Sequence, residues 1–165
     1  MKTFPETANE LEHASLGRRL AAMSYDALLC IALMMVTTGI YMATSNVILG
    51  AEAYKALNES GETINDPLLS SILFTTLYFF FGYFWTRNGQ TLGMQVWHIR
   101  IQTPDNKSIS WTQALMRFLM ACVSAACLGL GYVWIIFDPQ RKSWQCHVSD
   151  SEVVRIPKPK KKSKS

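Results

Sequence analysis

Three long stretches of the chain lack charged residues, and this feature limits the fold more than any other. They are residues 27–46, 68–85 and 118–137. Each has about 18–20 residues, and a helix of that length spans roughly 27–30 Å, the thickness of a bilayer core. Charged residues make up only 17% of the 165-residue chain, whereas about 25% is usual. The sequence therefore predicts an all-α membrane protein.

Polar segments divide the chain into three parts. Residues 1–15 form a polar N-terminal tail that we expect to be loose, and residues 16–156 form the membrane domain. The first two transmembrane helices are predicted near residues 16–44 and 68–85, on either side of a polar loop at 46–67. The C-terminal residues 157–165 contain five lysines and no acid, a composition typical of a disordered tail.

The third apolar stretch is interrupted in its middle by Gly129 and Gly131, and Arg117 stands at its start. Ser110 is a candidate N-cap for a helix that begins at Trp111. We favour an amphipathic helix at the membrane interface over residues 111–127, followed by a short re-entrant helix over residues 131–138. A single straight crossing by residues 118–137 is the alternative.

Two short polar segments alternate in the manner of β-strands. Residues 96–103 and 151–156 are rich in β-branched and aromatic side chains, and we expect them to pair as a small cytoplasmic β element. Turn residues at 104–107 allow residues 108–110 to return as a further short strand.

The distribution of Lys and Arg predicts the orientation, because these residues tend to stay in the cytoplasm. The loop at 46–67 holds one lysine against four acidic residues. The other polar segments hold more Lys and Arg: Lys2, Arg18 and Arg19; Arg87, Arg100 and Lys107; and Arg141, Lys142, Arg155 and the lysine run. The N-terminus is therefore predicted to be cytoplasmic and the loop external. The basic C-terminal segment is predicted to return to the cytoplasm, which requires that the third apolar stretch does not simply cross.

The first helix carries an intramembrane carboxylate. Asp26 lies about 10 Å along the helix axis from Arg19 and on the same face, and an unpaired charge at that depth is costly. We expect Asp26 to face protein, with Arg19 or Arg117 within reach. These three residues are interpreted either as a buried polar set that fixes helix register, which we favour, or as an ion or proton site.

Several segments resemble the RDD family of bacterial membrane proteins, which is named for one arginine and two aspartates. Residues 18–26, RRLAAMSYD, resemble the family's opening, with Arg19 and Asp26 at its arginine and first aspartate. Residues 89–94 and 113–117 resemble two further landmarks. The resemblance implies a multi-pass protein of the bacterial inner membrane, and for some relatives transport has been suggested.

The resemblance departs at the second aspartate. Cys146 occupies the expected position in the stretch Ser143–Trp144–Gln145–Cys146–His147. Asp138 and Asp150 are nearby but do not align without a shift. These three residues define the candidate second-aspartate region.

The chain has no P-loop, GxSxG or HExxH motif, and no paired carboxylates at helical spacing in the membrane, so neither a catalytic residue nor a cofactor is predicted. The four cysteines form no CxxC pair and are interpreted as small apolar fillers, and no metal site is predicted. Cys146 and His147 are not expected to act as nucleophile and base, because neighbours on a strand point to opposite faces. The lysine tail lacks interleaved aromatic residues. It is therefore predicted to contact anionic lipid headgroups, at about 1 kcal/mol per lysine, and not nucleic acid.

Two hypotheses for function follow. The chain is either a non-enzymatic membrane scaffold or assembly factor, which we favour, or a small transporter or ion-coupled carrier that uses Asp26 and Arg19. One copy has too few helices to enclose a path, so the second hypothesis requires a homo-oligomer.

Overall fold

The computed structural model describes residues 1–4, 11–61, 66–139 and 142–157, which are mainly helical. In chain order the elements are α1 (Leu16–Leu49), α2 (Ala51–Glu59), α3 (Pro67–Asn88), α4 (Leu92–Val96), β1 (Ile99–Gln102), α5 (Trp111–Ala126), α6 (Leu130–Val133), a short 3-10 helix (Trp134–Ile136), α7 (Trp144–Val148) and β2 (Glu152–Arg155). Residues 158–165 of the predicted tail at 157–165 lie outside the described residues.

Helices α1 and α3 are each long and apolar enough to cross a membrane. Their large apolar side chains are widely exposed, as at Met35 and Ile40 of α1 and Phe74 and Phe79 of α3. Such exposure is costly in water and favourable against lipid chains. The two predicted transmembrane helices are confirmed, and α1 is longer than expected because it continues to Leu49.

The start of α3 follows from its local sequence. Pro67 stands at the first helical position, where its missing N–H costs nothing. The Asp66 carboxylate accepts a hydrogen bond from the backbone N–H of Leu68 at 2.8 Å. It also accepts one from the Tyr41 hydroxyl. Asp66, at the end of the loop between α1 and α3, therefore caps the N-terminus of α3.

The third apolar stretch is not one straight helix. Helix α5 begins with a capping box in which Ser110 and Gln113 bind each other's backbone N–H groups. It ends where Leu128 and Gly129 adopt positive φ angles of 55° and 81°. The helical segment after this turn, from Leu130 to Ile136, is bent by 108° relative to α5. The predicted interruption near Gly129 is confirmed.

The predicted β element is also confirmed. Strands β1 and β2 pair antiparallel, with Ile99 opposite Arg155 and Gln102 opposite Glu152. The first segment is shorter than expected, because residues 92–96 are helical and His98 has a positive φ of 53°. Ile99, Ile101 and Val153 are almost completely buried and form the core around the sheet.

Residues 108–110 were expected to form a further strand, and that expectation is wrong. The N–H of Ser108 donates to the carbonyl of Lys2, and Ser110 is used as the cap of α5. The N-terminal segment supplies the additional pairing instead, through bridges from Thr3 to Lys107 and from His13 to Val154. The described parts of the N-terminal segment are therefore bound to the sheet region and are not a loose tail.

The chain divides into two compact units, each with its own contacts. The sheet-containing unit consists of Met1–Asp26 and Phe81–Ser165, and the helical unit of Ala27–Phe80. Arg19, Asp26, Arg117 and Cys146 all belong to the sheet-containing unit, so one unit holds the candidate site.

Candidate functional site

Asp26 is buried, with 5% of its surface exposed, and faces the N-terminus of α4. Its carboxylate accepts hydrogen bonds from the Thr91 hydroxyl and from the backbone N–H of Gly93, the latter at 2.9 Å. Thr91 is also the N-cap of α4, because its hydroxyl accepts from the N–H of Met94 at 3.3 Å. The expectation that Asp26 faces protein is met, and its partners are polar groups of a neighbouring turn.

The close approach of α4 to α1 requires glycine at position 93. A Cβ atom there would overlap the carbonyl oxygen of Ala22 and lie 2.9 Å from the Asp26 carboxylate. The Ala22 carbonyl belongs to the regular backbone of α1, and the Asp26 carboxylate is held by hydrogen bonds. Neither group can therefore move away easily. Gly93 therefore allows the N–H groups of α4 to reach Asp26.

The expected pairing of Asp26 with an arginine is wrong. In the part of the chain that the structure describes, neither Arg19 nor Arg117 forms an ion pair with Asp26. The reason is the direction of helical side chains, which lean towards the helix N-terminus. Arg19 precedes Asp26 by seven positions and extends away from it.

Arg19 instead connects the start of α1 to the C-terminal part of the chain. Its Nε donates to the carbonyl of Ala14 at 3.0 Å, and Nη2 donates to the carbonyl of Val153 at 3.4 Å. Nη1 lies 3.9 Å from the Sγ atom of Cys146. One side chain thus joins α1, α7 and β2.

Arg117 reaches the same sulfur from α5. Its Nη1 lies 3.4 Å from Sγ of Cys146 and 2.9 Å from the hydroxyl oxygen of Ser151. The guanidinium also lies 5.5 Å from the centre of the Trp85 ring, within the range of a cation–π contact. The structure therefore brings Arg19 and Arg117 together at Cys146.

Cys146 is not an apolar filler. It is 1% exposed, and the Ser143 hydroxyl lies 3.2 Å from its sulfur. Burial by itself would raise the pKa of the thiol. The guanidiniums of Arg117 and Arg19 and the Ser143 hydroxyl outweigh that effect and lower the pKa from 9.0 to about 6.

The other two candidates for the second-aspartate region lie elsewhere. The Asp138 carboxylate accepts from the N–H of Lys142 at 2.7 Å and lies 3.3 Å from Nε2 of His147. Asp150 is exposed in a turn with a positive φ of 43°. Of the three residues, only Cys146 lies between the arginines.

The segment around Cys146 was treated as a strand, and it is a helical turn, α7. His147 nevertheless contacts Asp138, whereas Cys146 contacts the arginines. Cys146 and His147 therefore bind different partners, as expected. The reason is their position on a helical turn, and not the alternation of side chains along a strand. Across the described ranges of the chain, no group of three or more His, Cys, Asp or Glu residues could hold a metal ion.

A separate polar cavity of about 330 Å³ lies in the sheet-containing unit. Its lining consists of two cations, three amides and one ring: Lys2, Arg100, Asn88, Gln90, Gln95 and Phe4. The Arg100 guanidinium is stacked 4.0 Å from the centre of the Phe4 ring and donates to Gln102. The arginine therefore helps to build the wall of this cavity.

Four of the residues that build the site were not predicted from the sequence: Thr91, Gly93, Ser143 and Ser151. Thr91 had a usable signal, since a threonine before a short apolar segment is a candidate N-cap. Ser143 and Ser151 had none, because nothing in a local pattern indicates which buried side chain a distant serine will bind.

No curated protein and no solved structure matches the chain at a significant level. The sequence model of the RDD family matches residues 13–146. This range contains Arg19 and Asp26 and ends at Cys146, and it covers most of the chain. The chain belongs to the RDD family of membrane proteins.

Proposed function

We propose that this RDD protein is a non-enzymatic scaffold of the bacterial inner membrane. In this proposal α1 and α3 hold the sheet-containing unit at the membrane, and that unit interacts with other proteins. The observation that carries the proposal is how the buried charges are used. Asp26, Arg19 and Arg117 each bind groups from distant segments of the same unit. Side chains used in this way hold structural elements together.

The pairing of the sheet region supports a location of both ends of the membrane domain on the same side of the bilayer, and the Lys and Arg residues of these segments favour the cytoplasm. Residues before α1, between α3 and α5, and after α7 hydrogen-bond to one another. Strand pairing of this kind requires that all three segments lie on the same side of the bilayer. In this proposal α1 and α3 cross twice, and the segment from α5 to Ile136 enters and leaves on one side.

Two further features agree with a re-entrant or interfacial path for this segment. It is bent by 108°, and an irregular backbone inside a bilayer needs covering protein. The outward face of α5 is apolar, with Met116, Leu119 and Val123 each more than two-fifths exposed. Such a face suits the acyl boundary of the membrane. The lysines after residue 157, which lie outside the described residues, are proposed to bind anionic lipid headgroups there.

Flux measurements separate this proposal from a carrier function. The full chain and its Asp26→Asn variant are reconstituted into liposomes with a trapped pH-sensitive dye. A proton gradient and a membrane potential are then imposed. We expect both proteins to give the same flux as protein-free liposomes. A proton flux that requires Asp26 would support an oligomeric carrier and contradict the scaffold.

In-cell crosslinking tests the interaction itself. A photoreactive residue is placed at exposed Asp150 in the sheet-containing unit, and a second at exposed Met35 in the lipid-facing part of α1. We expect a discrete protein adduct from position 150 and none from position 35. Absence of an adduct from position 150 in intact cells would count against the scaffold role.

A further inference from the structure

Three donors from separate parts of the chain meet at one sulfur atom. Arg117 approaches Sγ of Cys146 from α5 at 3.4 Å, and Arg19 approaches from α1 at 3.9 Å. The Ser143 hydroxyl approaches from the start of α7 at 3.2 Å. A neutral thiol is a weak acceptor, whereas a thiolate accepts such bonds strongly because it is charged. The number of donors therefore indicates the charged form.

The charges around the sulfur lead to the same result. Arg117 is 6% exposed, and within the described ranges no carboxylate forms an ion pair with it. A buried guanidinium without a counter-charge is strongly destabilising, and a second guanidinium nearby adds repulsion. Asp138 and Asp150 are held elsewhere. Of the groups to which Arg117 donates among the described residues, the Cys146 sulfur is the one that ionises readily.

We propose that Cys146 is held as a thiolate and is the shared counter-anion of Arg19 and Arg117, forming a pH-sensitive connection between α1, α5 and α7. The thiol proton is released to solvent as the unit folds, and no oxidant or other reactant is required. Protonation of the sulfur removes a negative charge that both guanidiniums face, which weakens the packing of these helices.

The direction of the pH effect follows from the depressed pKa. The thiol has a pKa of about 6 in the folded chain and an ordinary value of 9.0. Its contribution to stability is therefore complete above about pH 9, and it is lost as the pH falls through about 6. The titratable groups near the sulfur are Arg19 on α1, Arg117 on α5 and Tyr132 on α6. His147 on α7 is paired with Asp138.

Ultraviolet absorbance of the thiolate tests the proposal directly. The full-length protein is prepared in detergent with Cys30, Cys122 and Cys127 replaced by serine, and the same protein with Cys146→Ser provides the blank. We expect the difference absorbance to rise with a midpoint near pH 6. A rise that occurs only above about pH 8 would show a neutral thiol and overturn the proposal.

Variants test the role of the charge. Cys146→Asp supplies a carboxylate that stays ionised at mildly acidic pH, so we expect its thermal unfolding midpoint to stay constant between about pH 8 and about pH 5. The unmodified chain should lose several degrees over that range. Cys146→Ser should unfold lower than the unmodified chain at about pH 8 and lack this loss.

A Cys146→Ser protein as stable as the unmodified chain at the higher pH would contradict the proposal. Cys122→Ser is the matched control, since Cys122 is an exposed cysteine on α5, and should behave as the unmodified chain. If the aspartate variant fails to fold, the absorbance titration alone decides. Neither test depends on whether the protein is a scaffold or a carrier.

Discussion

At the scale of single residues, buried polar atoms determine how the sheet-containing unit holds together. Asp26 accepts hydrogen bonds from Thr91 and Gly93, and the two arginines donate to groups near the C-terminus. Each of these contacts joins segments that are far apart in the sequence. Removing one partner leaves the other buried and unsatisfied, which costs about 1–3 kcal/mol for a neutral group.

The Asp26 contacts give the first residue-scale prediction. Asp26→Leu removes both acceptors and should lower the free energy of unfolding by about 2–4 kcal/mol, measured by denaturant or thermal unfolding in detergent. Asp26→Asn keeps one acceptor oxygen and should lose less. Ser24→Ala is the control, because Ser24 is exposed and binds only within its own helix. An Asp26→Leu protein as stable as the Ser24→Ala protein would show that the contact does not stabilise the fold.

Gly93 gives the second prediction at the residue scale. Gly93→Ala should destabilise the chain by about 1–3 kcal/mol, because the added Cβ meets the backbone of α1. Gly39→Ala is a matched control, since Gly39 is also in a helix and has no atom within 4 Å of the added Cβ. Unfolding midpoints of the two variants are compared. Equal midpoints would mean that α4 does not lie against α1 as closely as the structure indicates.

At the scale of elements, caps and turns decide where α5 begins and ends. The capping box of Ser110 and Gln113 starts the helix, and the positive φ angles at Leu128 and Gly129 end it. Both devices are local, because they depend on residues next to one another in the chain. The bend in the third apolar stretch therefore follows from its own sequence.

The capping box is tested by Ser110→Ala. We expect a loss of about 1 kcal/mol in stability and faster hydrogen exchange at the amide of Gln113, which the Ser110 hydroxyl binds at 3.2 Å. Thr112→Ala, at an exposed position in the same turn, should leave that exchange rate unchanged. Unaltered exchange at Gln113 in the Ser110 variant would show that the cap does not form in the membrane protein.

At the scale of the whole molecule, strand pairing constrains the path through the membrane. The sheet region joins residues before α1, after α3 and after α7, so these segments share one side. In our proposal this side is the cytoplasm, because Lys and Arg residues tend to remain there. The hydrogen bonds place the segments together, and the charge distribution predicts on which side they lie.

Impermeant thiol labelling in intact cells tests this orientation. Single cysteines are placed at exposed Ser60, Lys107 and Pro157 in a chain with serine at positions 30, 122 and 127 and the buried Cys146 retained. We expect external labelling at position 60 alone, with all three positions labelled after membrane permeabilisation. External labelling at position 157 would mean that the segment from α5 to Ile136 crosses the membrane. The pairing of β1 with β2 could then not exist in the native protein.

Features that depend on neighbouring residues could be predicted before the fold was known. The apolar runs predicted α1 and α3, the glycines near 129 predicted the break, and the alternating segments predicted β1 and β2. The partners of Asp26, Arg19 and Arg117 could not be predicted in this way, because they come from distant segments. Helical spacing places Arg19 and Asp26 on one face, but the lean of each side chain and the approach of α4, α5 and α7 select the partners. These helices come together through packing between segments that are distant in the sequence. For this reason the sequence pattern indicated only a small apolar side chain at Cys146, whereas in the fold this residue lies between two arginines.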